Sequence, residues 1–70
     1  MTNAEELKKA IAEAGIKLNI ICKKCDITYA TLRRKIANKS EFKSSEIDAI
    51  TQLCHLNAEQ RDAIFFCNRG

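Results

Sequence analysis

The 70-residue sequence contains no proline, two glycines and one histidine, and it has no long apolar run. The absence of proline removes the strongest helix breaker. Because no stretch approaches the ~18 apolar residues that a membrane span needs, we expect no transmembrane helix. The first six residues carry acids instead of a basic start and an apolar core, so we expect no signal peptide. These absences predict a cytoplasmic chain whose four cysteines are reduced thiols, without structural disulfides.

The residues that catalysis normally requires are also scarce. The sequence has a single histidine, His55, and no glycine-rich phosphate loop, and its carboxylates fall on the outer faces of the terminal helices, where they are solvated. We therefore predict a protein that is not an enzyme and uses no cofactor. The length allows one domain, residues 1–70, whose small core supplies only a few kcal/mol. A second copy or another partner is therefore expected.

Charge is unevenly distributed along the chain, although the net value is only +3. Residues 17–43 contain eight lysines and arginines against two acids, whereas both flanking segments are weakly acidic. A basic run of this kind is either a solvated face or a surface for a polyanion. In the second case, the clustered cations release condensed counterions from a phosphate backbone.

Apolar residues recur at helical spacing in five segments, and no segment alternates with period two. Gly15 ends the first helix, since glycine adopts the left-handed conformation at little cost. Polar residues that can cap the N-termini of four of the helices are Thr2 or Asn3, Thr28, Ser44 or Ser45, and Asn57 with Gln60 three positions on. The third helix is expected to end near Asn38. The pattern predicts an all-α fold.

The second and third helices, about residues 18–37, have the spacing of a helix-turn-helix. Cys22 provides the small side chain needed where the two helices touch, and Asp26 tolerates the left-handed conformation that the turn requires. The positions that must be buried around the turn are apolar, namely Ile21, Cys25, Ile27, Leu32 and Ile36.

The stretch GIKLNIICKKCDITYATLRRKI, residues 15–36, resembles the DNA-binding core of the phage Cro and C-repressor family. The order of the helices extends the resemblance to roughly residues 4–66. It implies a five-helix, lambda-repressor-like domain that binds double-stranded operator DNA and regulates transcription. Leu18 stands where many members have a glutamine that contacts the DNA backbone, while Cys22 replaces the usual alanine and Asp26 the usual glycine.

The recognition helix is predicted at about residues 28–37. At ~100° per residue, Leu32 and Ile36 face inward and Arg34 points away from them. The family's base-reading positions fall on Tyr29, Ala30 and Arg34, which agrees with this geometry. The predicted base-reading residues are Tyr29, Ala30, Thr31 and Arg34, and the predicted phosphate contacts are Lys17, Asn19, Thr28, Arg33, Lys35, Lys39, Ser40 and Lys43.

Two of these residues have a second interpretation. Tyr29 either touches a base edge or phosphate, or its ring packs over the turn. Thr28 is more naturally a helix cap than a base reader, although its amide can still hold a phosphate.

The pair Cys22 and Cys25 forms a CxxC, which with Cys54, His55 and Cys67 offers possible zinc ligands. However, the spacing to the further ligands is not that of a zinc ribbon or finger. The helix-turn-helix also needs small or apolar residues at Cys22 and Cys25, and free cysteine behaves as a small hydrophobe. We therefore expect Cys22 and Cys25 in the core and no metal site.

Three adjacent bulky residues, Ile64, Phe65 and Phe66, end the fifth helix. Because one side of a helix cannot turn all three towards a small core, we expect them to contribute to a two-fold homodimer. The alternative is that Phe65 completes the monomer core and Phe66 covers the surface. A second function also stays open, an antirepressor that keeps the fold but binds a cognate repressor protein.

Overall fold

The computed structural model describes residues 2–66, and within that range every regular element is a helix. The elements are α1 (Ala4–Ala14), α2 (Leu18–Cys25), α3 (Tyr29–Ile36), α4 (Ser44–Leu53) and α5 (Ala58–Phe65). The all-α prediction with five helices is confirmed. No helix in this part of the chain is long and apolar enough to cross a membrane.

Most helix ends lie where the sequence predicts them. Asn3 caps α1 by accepting a hydrogen bond from the Glu6 amide at 3.2 Å, and Gly15 ends α1 with φ of 70°. At the start of α5, the Asn57 amide donates to the Gln60 side chain at 2.9 Å, while the Gln60 amide donates to Asn57 at 2.8 Å. These reciprocal bonds satisfy two amides that the helix itself leaves without partners.

The start of α4 differs from the prediction. The N-cap is Lys43, so neither Ser44 nor Ser45 caps this helix. The backbone amide of Lys43 donates to Glu46 Oε1 at 2.8 Å. The sequence pattern pointed to the serines because their hydroxyls are good caps, but a carboxylate three residues into the helix provides the stabilising bond instead.

The core takes residues from all five helices. Leu7, Ile21, Leu32 and Ile50 are fully buried, one from each of α1 to α4. From α5, Ile64 and Phe65 are each only 4% exposed. The Phe65 ring lies edge-on to Phe42 of the α3–α4 loop, with ring centroids 5.3 Å apart and an interplanar angle of 79°, a favourable aromatic geometry.

This packing corrects the predicted dimer surface. Ile64 and Phe65 belong to the monomer core, as the alternative interpretation predicts for Phe65, so little of either side chain is left for contact with a second copy. Of the three adjacent bulky residues, Phe66 is the exposed one, at 56%. Both side chains can be buried because α5 packs against α1 and Phe65 also packs against Phe42. The apolar periodicity of one helix does not show these two contacts.

Hydrogen bonds join the N-terminal segment both to Asn38, just after α3, and to Ile64 of α5. The Asn38 side chain accepts from the Thr2 amide at 2.9 Å and donates to the Thr2 carbonyl at 2.7 Å. The Asn3 amide donates to the Ile64 carbonyl at 2.6 Å. The two bonds to Thr2 stabilise Asn38, which adopts a left-handed backbone with φ of 63°.

The connection between α2 and α3 is a three-residue turn, Asp26 to Thr28. Asp26 has φ of 56° and ψ of 49°, the left-handed conformation that the sequence predicted. The Ile27 amide donates to the Cys22 carbonyl at 3.0 Å, and α2 packs against both α3 and α4. The direction of α3 therefore depends on one left-handed residue.

We expect Asp26→Val to lower the free energy of unfolding by about 1–2 kcal/mol, because a left-handed backbone crowds a Cβ, and a β-branched one most. Asp26→Gly should not lower it. Urea titration checks both variants, with Lys24→Val on the exposed face of α2 as the matched control. Equal losses for Asp26→Val and Lys24→Val would contradict the role given to this turn.

Candidate nucleic-acid interface

The outer face of α3 is open to solvent. Leu32 and Ile36 are buried against the core, whereas Ala30, Arg33 and Arg34 are exposed. Arg34 thus lies away from the buried side, as the helical geometry of the sequence predicted. It has a free path to any ligand that approaches this helix.

Thr28 and Thr31 form the N-terminal cap of α3. The Thr28 hydroxyl oxygen accepts from the Thr31 amide at 3.1 Å, and the Thr28 hydroxyl donates to the Thr31 hydroxyl oxygen at 2.9 Å. Thr28 is therefore the cap that the sequence suggested. Thr31 is only half-buried, but its hydroxyl already takes part in this cap, which makes it a less available base reader than Ala30 or Arg34.

Tyr29 contacts Arg33, one turn further along its own helix. Arg33 Nη1 donates to the Tyr29 hydroxyl at 3.4 Å, and the Arg33 guanidinium carbon lies 5.8 Å from the centre of the Tyr29 ring. This distance allows a cation–π interaction. The ring remains 47% exposed, so Tyr29 both restrains Arg33 and presents an edge to solvent.

The prediction that Lys35 contacts a DNA phosphate is wrong. It is 6% exposed, and its ammonium lies 2.5 Å from Oε1 of Glu46, which is 4% exposed. On the helical wheel Lys35 lies about 80° from the buried direction, at the border between the two faces. It turns inward because α4 places a carboxylate there, and its charge is not available to DNA.

Glu46 is the residue that sequence reasoning missed. Burial by itself raises the pKa of its carboxyl, but hydrogen bonds from Lys35 and the Lys43 amide, together with the charges of both lysines, outweigh burial and lower the pKa. The sequence offers only a weak indication of this role. Glu46 stands three residues after Lys43, the spacing of a carboxylate that reaches back to a helix N-terminus.

The other predicted phosphate contacts lie on α2, α3 and the adjoining loops. Lys17 and Lys43 occupy the N-caps of α2 and α4, and Ser40 is half-buried. Within residues 17–43, two acids, Asp26 and Glu41, are exposed. The exposed cations of this segment are Lys17, Lys23, Lys24, Arg33, Arg34, Lys39 and Lys43, and the exposed polar residue Asn19 joins them. Lys35 is buried and does not count, but the exposed side chains of residues 17–43 still carry an excess of positive charge.

The cysteines of the described chain contribute to packing. Cys22 is buried, and Cys25 and Cys54 are half-buried, all three as free thiols. Burial raises the pKa of the Cys25 and Cys54 thiols, which disfavours the reactive thiolate. Between residues 2 and 66, no three His, Cys, Asp or Glu side chains are grouped so that they could hold a metal ion. Cys67 lies outside the described residues.

Comparison with family models, curated proteins and solved structures finds no match for this chain. The interpretation of the surface therefore depends on its geometry and chemistry.

We expect Glu46→Gln to lower the free energy of unfolding by about 2 kcal/mol at pH 7, because it leaves the buried Lys35 ammonium without a charged acceptor. Glu46 has a lowered pKa in the folded state, so its stabilising effect is present above about pH 4.3, the ordinary glutamate value. The effect is lost as pH falls through the lower folded pKa. The difference between the two proteins should therefore shrink at acid pH.

Urea titration of both proteins from pH 7 to pH 3 measures this difference. Glu41→Gln, at an exposed acid of the neighbouring loop, is the control and should change little. A Glu46→Gln difference that is independent of pH would show that the charge of Glu46 is not what stabilises the fold.

Proposed function

We propose that the chain is a sequence-specific DNA-binding transcriptional regulator of the phage Cro or repressor type, with a lambda-repressor-like helix-turn-helix. One observation carries the proposal. The left-handed turn at Asp26 joins α2 to α3 so that the inner face of α3 is buried and its outer face, with Arg34, is exposed. This is the arrangement that allows a second helix to enter a DNA major groove.

In this proposal α3 reads bases through the side chains at its exposed face. Arg34 pairs in bidentate fashion with O6 and N7 of a guanine, and Ala30 contacts a thymine methyl group. Tyr29 presents its ring edge at the entrance of the helix. Thr31 contributes its methyl group at most, since its hydroxyl is engaged with Thr28.

The DNA backbone is held by the cations around α3. Arg33, restrained by Tyr29, contacts one phosphate, and Lys17 and Lys43 approach others from the starts of α2 and α4. Lys39, Asn19 and Ser40 extend this contact. Thr28 offers its backbone amide, as the N-termini of helices do for anions. These contacts supply affinity and register but little sequence preference.

The proposed active form is a two-fold homodimer. Phe66 is the exposed bulky residue at the end of α5, and in the proposed dimer it lies at the contact between copies. Two copies related by a two-fold axis would present two α3 helices about 34 Å apart, one turn of DNA, to a pseudo-palindromic operator. Occupation of that operator blocks polymerase without any chemistry or cofactor.

A second function, an antirepressor that binds a cognate repressor, is favoured by Leu18. This half-buried residue is apolar where many members of the Cro and C-repressor family, which the sequence resembles, contact the DNA backbone. A gel shift with DNA from upstream of the chain's own gene, with and without the neighbouring repressor, separates the two functions. A shift by the chain alone supports the regulator, whereas release of the repressor from DNA supports the antirepressor.

We expect Arg34→Ala to lose about 2 kcal/mol of discrimination between the operator and a scrambled duplex, because it removes a base contact. Lys39→Ala should weaken both duplexes equally and reduce the salt dependence by about one phosphate contact. Fluorescence anisotropy at three salt concentrations, on an operator selected from random DNA, measures both effects. Arg61→Ala on α5 is the control. Unchanged discrimination by Arg34→Ala would refute its assignment as a base reader.

We expect Phe66→Glu to convert a dimer into a monomer at micromolar concentration, because it places a charge where two apolar surfaces meet. Sedimentation velocity measures the change, and Ala63→Glu, an exposed position one turn earlier on α5, tests whether the whole helix or its end forms the contact. A native chain that is monomeric both free and on DNA would rule out the dimer.

A further inference from the structure

An apolar groove runs between α1, α2 and α3, beside the proposed recognition helix. It has a volume of about 420 Å³ and is partly open to solvent. Its floor includes Ile11 from α1, Leu18 from α2 and Ile36 from α3. Ile11 and Ile36 are core residues whose outer edges reach this groove.

The charges at the rim of the groove have one sign. Lys8 of α1 and Arg33 of α3 are both exposed, and no acid is found among the described residues that line the groove. Arg33 also contacts the Tyr29 ring and hydroxyl, so one of the two cations at the rim has a neighbour on its own helix. An apolar floor with a cationic rim is complementary to a surface on which apolar residues are flanked by carboxylates.

The shape of the groove favours a helix over a small molecule. Its α1 wall extends from Ala4 to Ala12, which is about 12 Å, or two helical turns. A small ligand is normally enclosed over most of its surface, whereas this groove is only partly enclosed. A helix needs contact on one face only and binds through apolar residues at i, i+3, i+4 and i+7.

We propose that this groove binds an acidic amphipathic helix of a partner protein. Because Arg33 belongs both to the groove and to the proposed phosphate contacts, a helix in the groove takes one DNA contact for itself. Leu18 at the start of α2 adds apolar surface to the groove. The partner therefore competes with DNA for Arg33 and weakens DNA binding, and this competition, though not the binding itself, rests on the proposed DNA-binding function.

The probe is a designed 16-residue helical peptide with leucines at i, i+3, i+4 and i+7 and glutamates beside them. NMR titration of the full chain without DNA should shift the amides of residues 8–12, 18 and 33–37. A second peptide with lysines in place of the glutamates should bind at least about tenfold more weakly, which corresponds to 1.4 kcal/mol. Equal binding of both peptides would contradict the role of Lys8 and Arg33.

Two exposed alanines of α1 supply matched variants. Ala12→Glu puts a carboxylate into the groove and should weaken the acidic peptide at least about tenfold. Ala14→Glu puts the same charge on the side of α1 that faces α5 and the α4–α5 connection, and it should bind the peptide like the native chain. Both positions are helical and exposed, so thermal unfolding should show that both variants fold. Equal loss in both variants, or no binding by the native chain, overturns the proposal.

Competition is measured separately by adding the acidic peptide to the complex of the chain with operator DNA. Release of DNA by the native chain, but not by Ala12→Glu, supports the proposal. Peptide binding without release of DNA overturns the competition, and peptide binding by a chain that binds no DNA overturns the proposed function while the groove assignment stands. Self-association that Ala12→Glu abolishes would identify the occupant as a second copy and overturn the partner assignment.

Discussion

The arrangement of this domain depends on the buried ion pair between Lys35 and Glu46. One carboxylate oxygen accepts hydrogen bonds from the Lys35 ammonium and from the Lys43 amide, so it joins the end of α3 to the start of α4. Removing two charges from water is costly, and apolar residues can often replace such a pair without loss of stability. We interpret the pair chiefly as a positional constraint, because it joins the end of α3 to the start of α4, while the burial of Leu32 and Ile36 sets the rotation of α3.

That rotation determines what the two neighbouring arginines can do. With Lys35 turned inward, Arg34 lies on the outer face and Arg33 lies at the side, against Tyr29 and at the rim of the α1–α2–α3 groove. One short helix thus supplies the residue proposed to read bases and the residue shared by phosphate and partner. The proposed regulation follows from this sharing, since a phosphate and a carboxylate of the partner compete for the donors of one guanidinium.

Sequence reasoning was accurate where a feature depends on residues close together in the chain. Gly15, Asp26 and Asn57 are local signals, and each lies at the predicted helix end. It failed where a distant residue decides the outcome. The sequence predicts Lys35 as a surface cation because its partner lies 11 residues away, and it leaves Phe65 open between a dimer contact and the monomer core because its contact with Phe42 does not show in a helical period.

The sequence by itself determined the five helices, the left-handed turn between α2 and α3, and the outward direction of Arg34, because backbone conformation and helical period are local properties. The tertiary structure alone decided which lysine is buried, which of the three bulky residues of α5 stays exposed, and that Leu18 lines a groove with Lys8 and Arg33. Burial and groove shape are produced by several helices together, so no single segment contains them.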